Sequence, residues 1–592
     1  MDRKVFLALV LSAVVVVVFQ LLFPPPKPAP RPATTATATG NAAGSATGTA
    51  TSPSAAATAT APIPGVTPGT IGAPSLDSMA QVATGAPGIA AETTVVETPR
   101  VRYRVSSLGA QPVGAELRDY SAISADGRRT TRPVELLRAG DAMVGYRLVV
   151  PGDTLDLTRV PFALVRGPAS AASAGTVGTA GAPLPGTPVE YRATLPNGIA
   201  VTITYTFAPD DYTVLVDGRV ENAPKPAFLL AELPHALASS EADTLEDSRH
   251  FAIAYKPETK DAVGLPFGKI SPAKPVVGPG PLSWVVAKSK YFIVGFLTPD
   301  KDAPFREIQV RSARTANVSR FFGTSVVTTA ASAAAVEALP ADGSFRFEIY
   351  AGPQEFERLQ ALGRSFEDSN PYGGWLQGII QPFATVVMKL LLWMKRNLAL
   401  SYGWILVIFG VVVRLAMWPF QQRAMRSSMA MQRIQPEIQR IQEKHRNDPQ
   451  RLQQEMFKVY KEHGVSPFSA FSGCLPMLIP MPVFFALFFV FQNTIEFRGV
   501  PFLWLNDISL YDPYFVIPVL MGLSSWLLAW IGMRNAPPNP QAKMMSYMFP
   551  AMMTVFLWKF ASGLNLYYTV QNVAALPQQW LLANERGRNA KK

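Results

Sequence analysis

The chain has 592 residues with a formal net charge of +12, of which 16% are charged and 48% hydrophobic, and it contains 53 prolines. So low a charged fraction, against about a quarter in ordinary soluble domains, excludes an average cytosolic enzyme, and a single cysteine, Cys474, excludes intramolecular disulfides and multi-cysteine metal sites. The positive charge is uneven: residues 24–370 hold 31 basic and 32 acidic side chains, whereas residues 397–592 hold 18 and 9.

Residues 5–23 form an uncharged apolar run behind Arg3 and Lys4. At about 1.5 Å per residue it crosses the hydrocarbon of a bilayer, so 1–23 is expected to be an N-terminal membrane anchor with its start inside. Residues 24–96 are mostly Ala, Thr, Pro, Gly and Ser, a composition too poor in apolar surface to offset chain entropy. They read as a disordered linker.

Over residues 97–355 the hydrophobic period becomes two. Val201, Ile203, Tyr205 and Phe207 alternate with threonines, and Phe251, Ile253 and Tyr255 or Phe345, Phe347 and Ile349 repeat the pattern. This predicts a large antiparallel β-sandwich, outside the membrane, with one wet face per sheet and an Ala/Gly/Pro-rich insert near 168–188. No nucleophile elbow, phosphate loop or convergent acid pair is visible in it. Asp210, Asp211 and Asp217 fall around turns, where solvated turn chemistry explains them.

Residues 372–396 return to a helical period. Leu376, Ile379, Ile380, Phe383, Val387, Leu390, Leu391 and Met394 share one face, while Gln377, Gln381, Thr385 and Lys389 stack on the other. That segregation predicts an amphipathic helix lying in the membrane interface.

Further apolar stretches follow at 398–420, the second span, and at 473–491, 514–533, 544–558 and 561–583, which make 473–583 the third to sixth spans. The expected class is therefore a polytopic α-helical membrane protein of six spans, five of them beyond the sandwich. With the N-terminus inside, segments 1–4, 421–472, 534–543 and 584–592 are also inside and hold 17 Lys and Arg, whereas the two short outside loops hold only Arg498 and Lys559. This is the asymmetry that the positive-inside rule requires.

The inside segment 421–467 reads as a cytoplasmic helical hairpin. Met431, Ile434, Ile438 and Ile441 form a stripe, Asn447, Asp448 and Pro449 a turn, and Leu452, Met456 and Val459 a second stripe that Gly464 and Pro467 end. Nine cations against five acids over 421–472 suit a solvated face with anionic lipid, a ribosome or an arriving chain as further contacts. No aromatic residues interleave with the basic ones, which disfavours nucleic acid. Residues 584–592 form a basic tail. His235, His250, His445 and His463 lack metal-ligand spacing, and no metal or cofactor is expected.

Arg414 lies in the second span, about 9 Å from its inner end at about 1.5 Å per residue. An isolated arginine there costs about 3 kcal/mol, and the other spans contain no acid to neutralise it. Apart from snorkelling to the inner surface, this describes an unpaired cation in a water-containing groove. The short apolar run 544–558 and Pro476, Pro480 and Pro482 fit such a thinned, hydrated place.

The segments 411–420 around Arg414, 434–439, 472–488, 501–509, 512–522 and 562–568 together resemble the YidC/Oxa/Alb family of membrane protein insertases, in its Gram-negative YidC form, over about residues 372–583. The resemblance implies a multi-pass protein of the bacterial inner membrane with both termini cytoplasmic and a periplasmic supersandwich related to galactose mutarotase. It implies an insertase and chaperone, not an enzyme, that receives nascent membrane proteins alone or beside the Sec translocon. Arg414 would attract the polar or acidic segment of a substrate, with Pro482, Phe484 and Phe556 on an apolar slide and Tyr568 as a further contact. The hairpin and tail would meet ribosomes or signal recognition components. Gly410 departs from relatives that carry a hydroxyl there, which puts substrate hydrogen bonding at that point in doubt. An anion transporter or channel is the alternative reading, disfavoured by the lack of an internal repeat and of a second intramembrane charge; a membrane-tethered periplasmic enzyme is a third.

Overall fold

The computed structural model describes residues 91–167, 186–299, 305–320, 323–370, 377–445, 448–462, 481–534 and 540–589. The expected anchor, all but the end of the linker, most of the 168–188 insert, Gly464, Pro467 and the first half of the 473–491 stretch lie outside the described residues.

Strands occupy Thr93 to Pro353, and every pairing among them is antiparallel. Four strands, Thr93–Glu97, Val101–Ser106, Gln111–Ile123 and Arg129–Glu135, form one sheet in chain order, and fourteen more form a second, larger sheet. Alternation sets the faces: along Ala200–Phe207 the positions Val201, Ile203, Tyr205 and Phe207 are buried and the threonines between them only half-buried. A wet face is missing at the sheet centre, where Phe251 to Tyr255 and all of Phe292–Leu297 are buried. The reason is a cover of further chain. Phe366 packs edge-on against Trp284 and Tyr350, and Tyr120 does the same against Phe292. Two short helices belong to this domain, α1 (Thr244–Arg249), capped by Asp243, and α2 (Phe356–Ala361).

The C-terminal region is helical: α3 (Gln377–Leu398), α4 (Tyr402–Lys444), α5 (Pro449–Glu462), α6 (Met481–Asn493), α7 (Val516–Met533), α8 (Pro540–Leu557) and α9 (Ser562–Asn589). Its core gathers Leu391, Ile405, Leu406, Phe409, Leu487, Val490, Leu564 and Tyr567. The α7 start is fixed by fully buried Asp512, whose Oδ2 accepts from Ile517 N at 2.8 Å and whose Oδ1 accepts from Trp504 Nε1 at 3.1 Å. Helix α4 has 43 residues and runs unbroken from the bundle into the hairpin, where Ile434 and Ile438 bury themselves against Val459 and Tyr460 of α5.

Among the described residues, Tyr402–Gln422 of α4 and Val516–Met533 are long and apolar enough to cross a membrane, and Ser546–Leu557 is apolar but shorter. The described residues thus combine a large β-sandwich with a helical region carrying two such stretches, while the first of the six spans read from the sequence and part of the third lie outside them. Helix α9 falls short because Asn565, Gln571, Asn572, Gln578 and Gln579 interrupt its apolar residues.

The α6–α7 loop locks the two regions together. Ile495 joins the sandwich core, while Phe356 of α2 packs against the bundle core. Between these two anchors Arg498, 3% exposed, gives its Nε to both oxygens of Glu241 at 2.9 and 3.0 Å and lies over the ring of Phe292. Asn506 Nδ2 donates to Asp126 O, and Arg129 Nη2 to Arg498 O. The loop ahead of α9 rests on the same platform, since Ser562 N donates to Leu510 O and Gly563 N to Ile508 O. Both short interhelical loops therefore lie at the sandwich end of the bundle.

Candidate functional site

Gly410 and Arg414 lie one turn apart on α4 and face α9. A side chain at Gly410 would place its Cβ 2.9 Å from Val570 Cγ1, so the missing side chain is what lets the two helices approach. Across that contact α9 presents Tyr567, Gln571 and Gln578, which at steps of four and seven residues share one face. Gln571 Nε2 donates to Gly410 O and to Tyr567 Oη, both at 2.9 Å, and the Tyr567 ring packs on Phe409. The Gly410 carbonyl is thus engaged within the bundle, by Gln571.

Arg414 is half-buried. Its Nη2 donates to Gln578 Oε1 at 2.6 Å, and its Nε is shut off from solvent without a partner. Gln578, only 3% exposed, sends its own Nε2 to Trp418 O at 3.3 Å, one turn further along α4. A neutral amide therefore holds the cation. No described carboxylate forms an ion pair with it, so the positive charge stays uncompensated among apolar helices.

A second polar face of α9 meets α7 and the end of α8. Asn572 Nδ2 donates to Ser525 Oγ at 2.6 Å and Ser524 Oγ at 3.2 Å of α7, and Asn565 Nδ2 to Leu557 O of α8 at 3.0 Å. Polar contacts of this kind hold helices together where the hydrophobic effect between them is weak.

The aromatic residues expected to contact substrate lie on a connected path. Phe484 of α6 meets Tyr568 of α9 edge-on at 5.4 Å and leads through Phe488, at 6.3 Å, to Phe560, at 5.5 Å, and so to Phe556, at 5.3 Å. Phe556 is 59% exposed among the described residues, an apolar surface at the end of the path. Pro482 stands in the first turn of α6. Arg414 is not on this path; Tyr567, packed against Tyr568 at 5.8 Å, stands between them.

Reading the sequence missed Tyr567, Gln571, Asn572 and Gln578. Their one available signal was the density of amide side chains in 561–583, a stretch treated as simply apolar.

Residues 93–386 match a family model described as the YidC periplasmic domain, and residues 393–589 match one described as 60Kd inner membrane protein. Relatives named Membrane protein insertase YidC include one from Anaeromyxobacter sp. (strain Fw109-5), 34% identical over 41% of this chain and 43% of the relative, and one from Chlorobium luteolum, 29% identical over 67% of this chain and 68% of the relative. The chain thus spans less than half the length of the Anaeromyxobacter relative it matches. Among solved structures, an active YidC insertase with its first transmembrane domain resolved aligns over 82% of this chain and 92% of its own at 17% identity and a TM-score of 0.32. A galactose mutarotase-like protein from Lactobacillus casei aligns over 44% of this chain and all of its own length, at 7% identity and a TM-score of 0.27.

Proposed function

The chain belongs to the YidC family of membrane protein insertases, and on that premise we propose that it inserts integral inner-membrane proteins and helps them fold, alone or with the Sec translocon. The observation that carries this reading is Arg414, a half-buried cation inside the apolar stretch Tyr402–Gln422, held by a neutral amide and with a donor to spare. Such a group attracts an acidic or polar segment, because no described carboxylate competes for it. The aromatic path from Phe556 to Tyr568 offers the apolar segment of the same substrate a surface of its own, with Pro482 a further candidate contact.

Six spans, with both termini cytoplasmic and the sandwich periplasmic, complete the proposal. Contacts of the Arg498 and Ser562 loops with the sandwich end support it, because those loops are the ones poorest in cations. The hairpin and the basic tail would then face the cytoplasm, where ribosomes or signal recognition components deliver chains.

The test is depletion of the protein followed by protease protection of small single-span substrates. Protection should fall on depletion and return with the wild-type chain. Arg414→Ala should restore substrates with acidic translocated tails poorly, and Arg414→Lys should restore more, since charge is what the groove supplies. Full restoration by both variants would remove Arg414 from the mechanism.

A further inference from the structure

The Nε and Nη2 protons of an arginine lie parallel along one edge of the guanidinium, a fork that matches the two oxygens of a carboxylate. On Arg414 that edge is half filled. Gln578 supplies one oxygen to Nη2, and Nε beside it is buried with nothing to bond. An amide has only one acceptor oxygen, so Gln578 cannot fill the fork. Its hold is weak as well, since its other bond, to Trp418 O, is long at 3.3 Å.

We propose that Gln578 is a positioning residue that occupies half of the Arg414 fork while no substrate is bound, and that a carboxylate on the arriving chain displaces it by taking Nε and Nη2 together. This rests on the reading of Arg414 as the group that receives substrate. In the empty bundle Gln578 keeps the guanidinium turned toward α9 and spares it the cost of a wholly unbonded edge. When substrate arrives, a neutral acceptor yields to a charged bidentate one, whose hydrogen bonds are roughly twice as strong. Gln578 therefore makes the site selective for acids: a substrate offering only one neutral oxygen gains nothing over the amide already there.

The test uses the full chain in cells depleted of the wild type, with two single-span probe proteins that differ only in an Asp-containing or Asn-containing translocated tail. Gln578→Glu places a resident carboxylate of nearly the same size on the fork. Insertion of the Asp-tailed probe should fall on the order of tenfold, while the Asn-tailed probe changes less than about twofold. Gln578→Leu removes the placeholder and should narrow the preference for the Asp-tailed over the Asn-tailed probe, because a single neutral oxygen then meets an unoccupied fork. Equal losses for both probes with either variant would reduce Gln578 to a packing role and overturn the proposal, as would a wild-type rate for the Asp-tailed probe with Gln578→Glu. If Gln578→Glu fails to accumulate in the membrane, Gln578→Leu decides: a narrowed preference for the Asp-tailed probe upholds the proposal, and equal losses for both probes or an unchanged preference overturn it. Arg414→Ala in parallel separates this inference from its premise. A variant Arg414→Ala that inserts both probes normally defeats the Arg414 reading itself, whereas an impaired Arg414→Ala beside an unaffected Gln578→Glu defeats only the role given to Gln578.

Discussion

Glu496 shows what the junction between sandwich and bundle demands of a single side chain. Its Oε1 accepts from Phe356 N at 3.3 Å, while its Oε2 is shut off from solvent with no partner. Burial, helped by the nearby charges of Glu355 and Glu357, pushes its carboxyl up from the usual 4.5 to about 7. A carboxyl raised in the folded state prefers its proton there, so this group costs stability as pH rises from about 4.5 and reaches its full penalty above about 7. Glu496→Gln keeps the bond from Phe356 and removes the titration. Thermal unfolding should show the variant more stable than the wild type at pH 8 and little different at pH 4; an equal shift at both would refute the assignment. Arg414 was legible in the sequence as the lone charge in an apolar run. Glu496 and Gln578 were not, because their significance depends on partners more than a hundred residues away, and no local period records such a pairing.

Among the elements, the α4–α9 contact is the one most exposed to a small change of shape. Gly410→Val would drive a branched side chain into Val570, and overpacking of this kind costs about 1–3 kcal/mol. Combining it with Val570→Ala should recover most of the loss, which thermal unfolding of the detergent-purified variants would measure. Failure of the second substitution to restore stability would mean that Gly410 serves the backbone and not the interface. Element type was readable for the larger elements: alternation marked the strands and a helical stripe marked α3, whereas the short α1 and α2 left no period to read. Element ends were less so. The change from apolar to charged residues near Gln421 marks a change of surroundings, but α4 continues through it, because Gln, Arg, Ala and Met keep the helix favourable on either side. Burial on both faces of the central strands was equally hidden, since the cover comes from Phe366 and Tyr120, far off in the chain.

At the scale of the whole molecule, the sandwich and the bundle meet through Arg498 and Glu241. Removing one partner of a buried ion pair leaves the other uncompensated, at about 3–5 kcal/mol, while replacing both by apolar residues is often neutral. Arg498→Ala should therefore loosen the junction and speed proteolysis of the α6–α7 loop, and Arg498→Met with Glu241→Leu should restore resistance. Continued cleavage in the double variant would show that charge, and not burial, secures the two regions. The charge count gave Arg498 only as a rare cation outside the membrane; that it is sunk in the sandwich face follows from Ile495, which carries the loop into a core the hydropathy pattern assigns to another domain. Helix α4 joins this junction to the opposite end of the molecule. At about 1.5 Å per residue it is a beam of about 65 Å. Pro419, which lacks an amide proton, lowers its bending stiffness just beyond Arg414. Gln578 Nε2 meets the Trp418 carbonyl at that same turn, over a long bond of 3.3 Å. The turn beside Pro419 is therefore the one whose carbonyl meets the side chain that also steadies the guanidinium, so that bending of the long helix and displacement of the amide act on the same group.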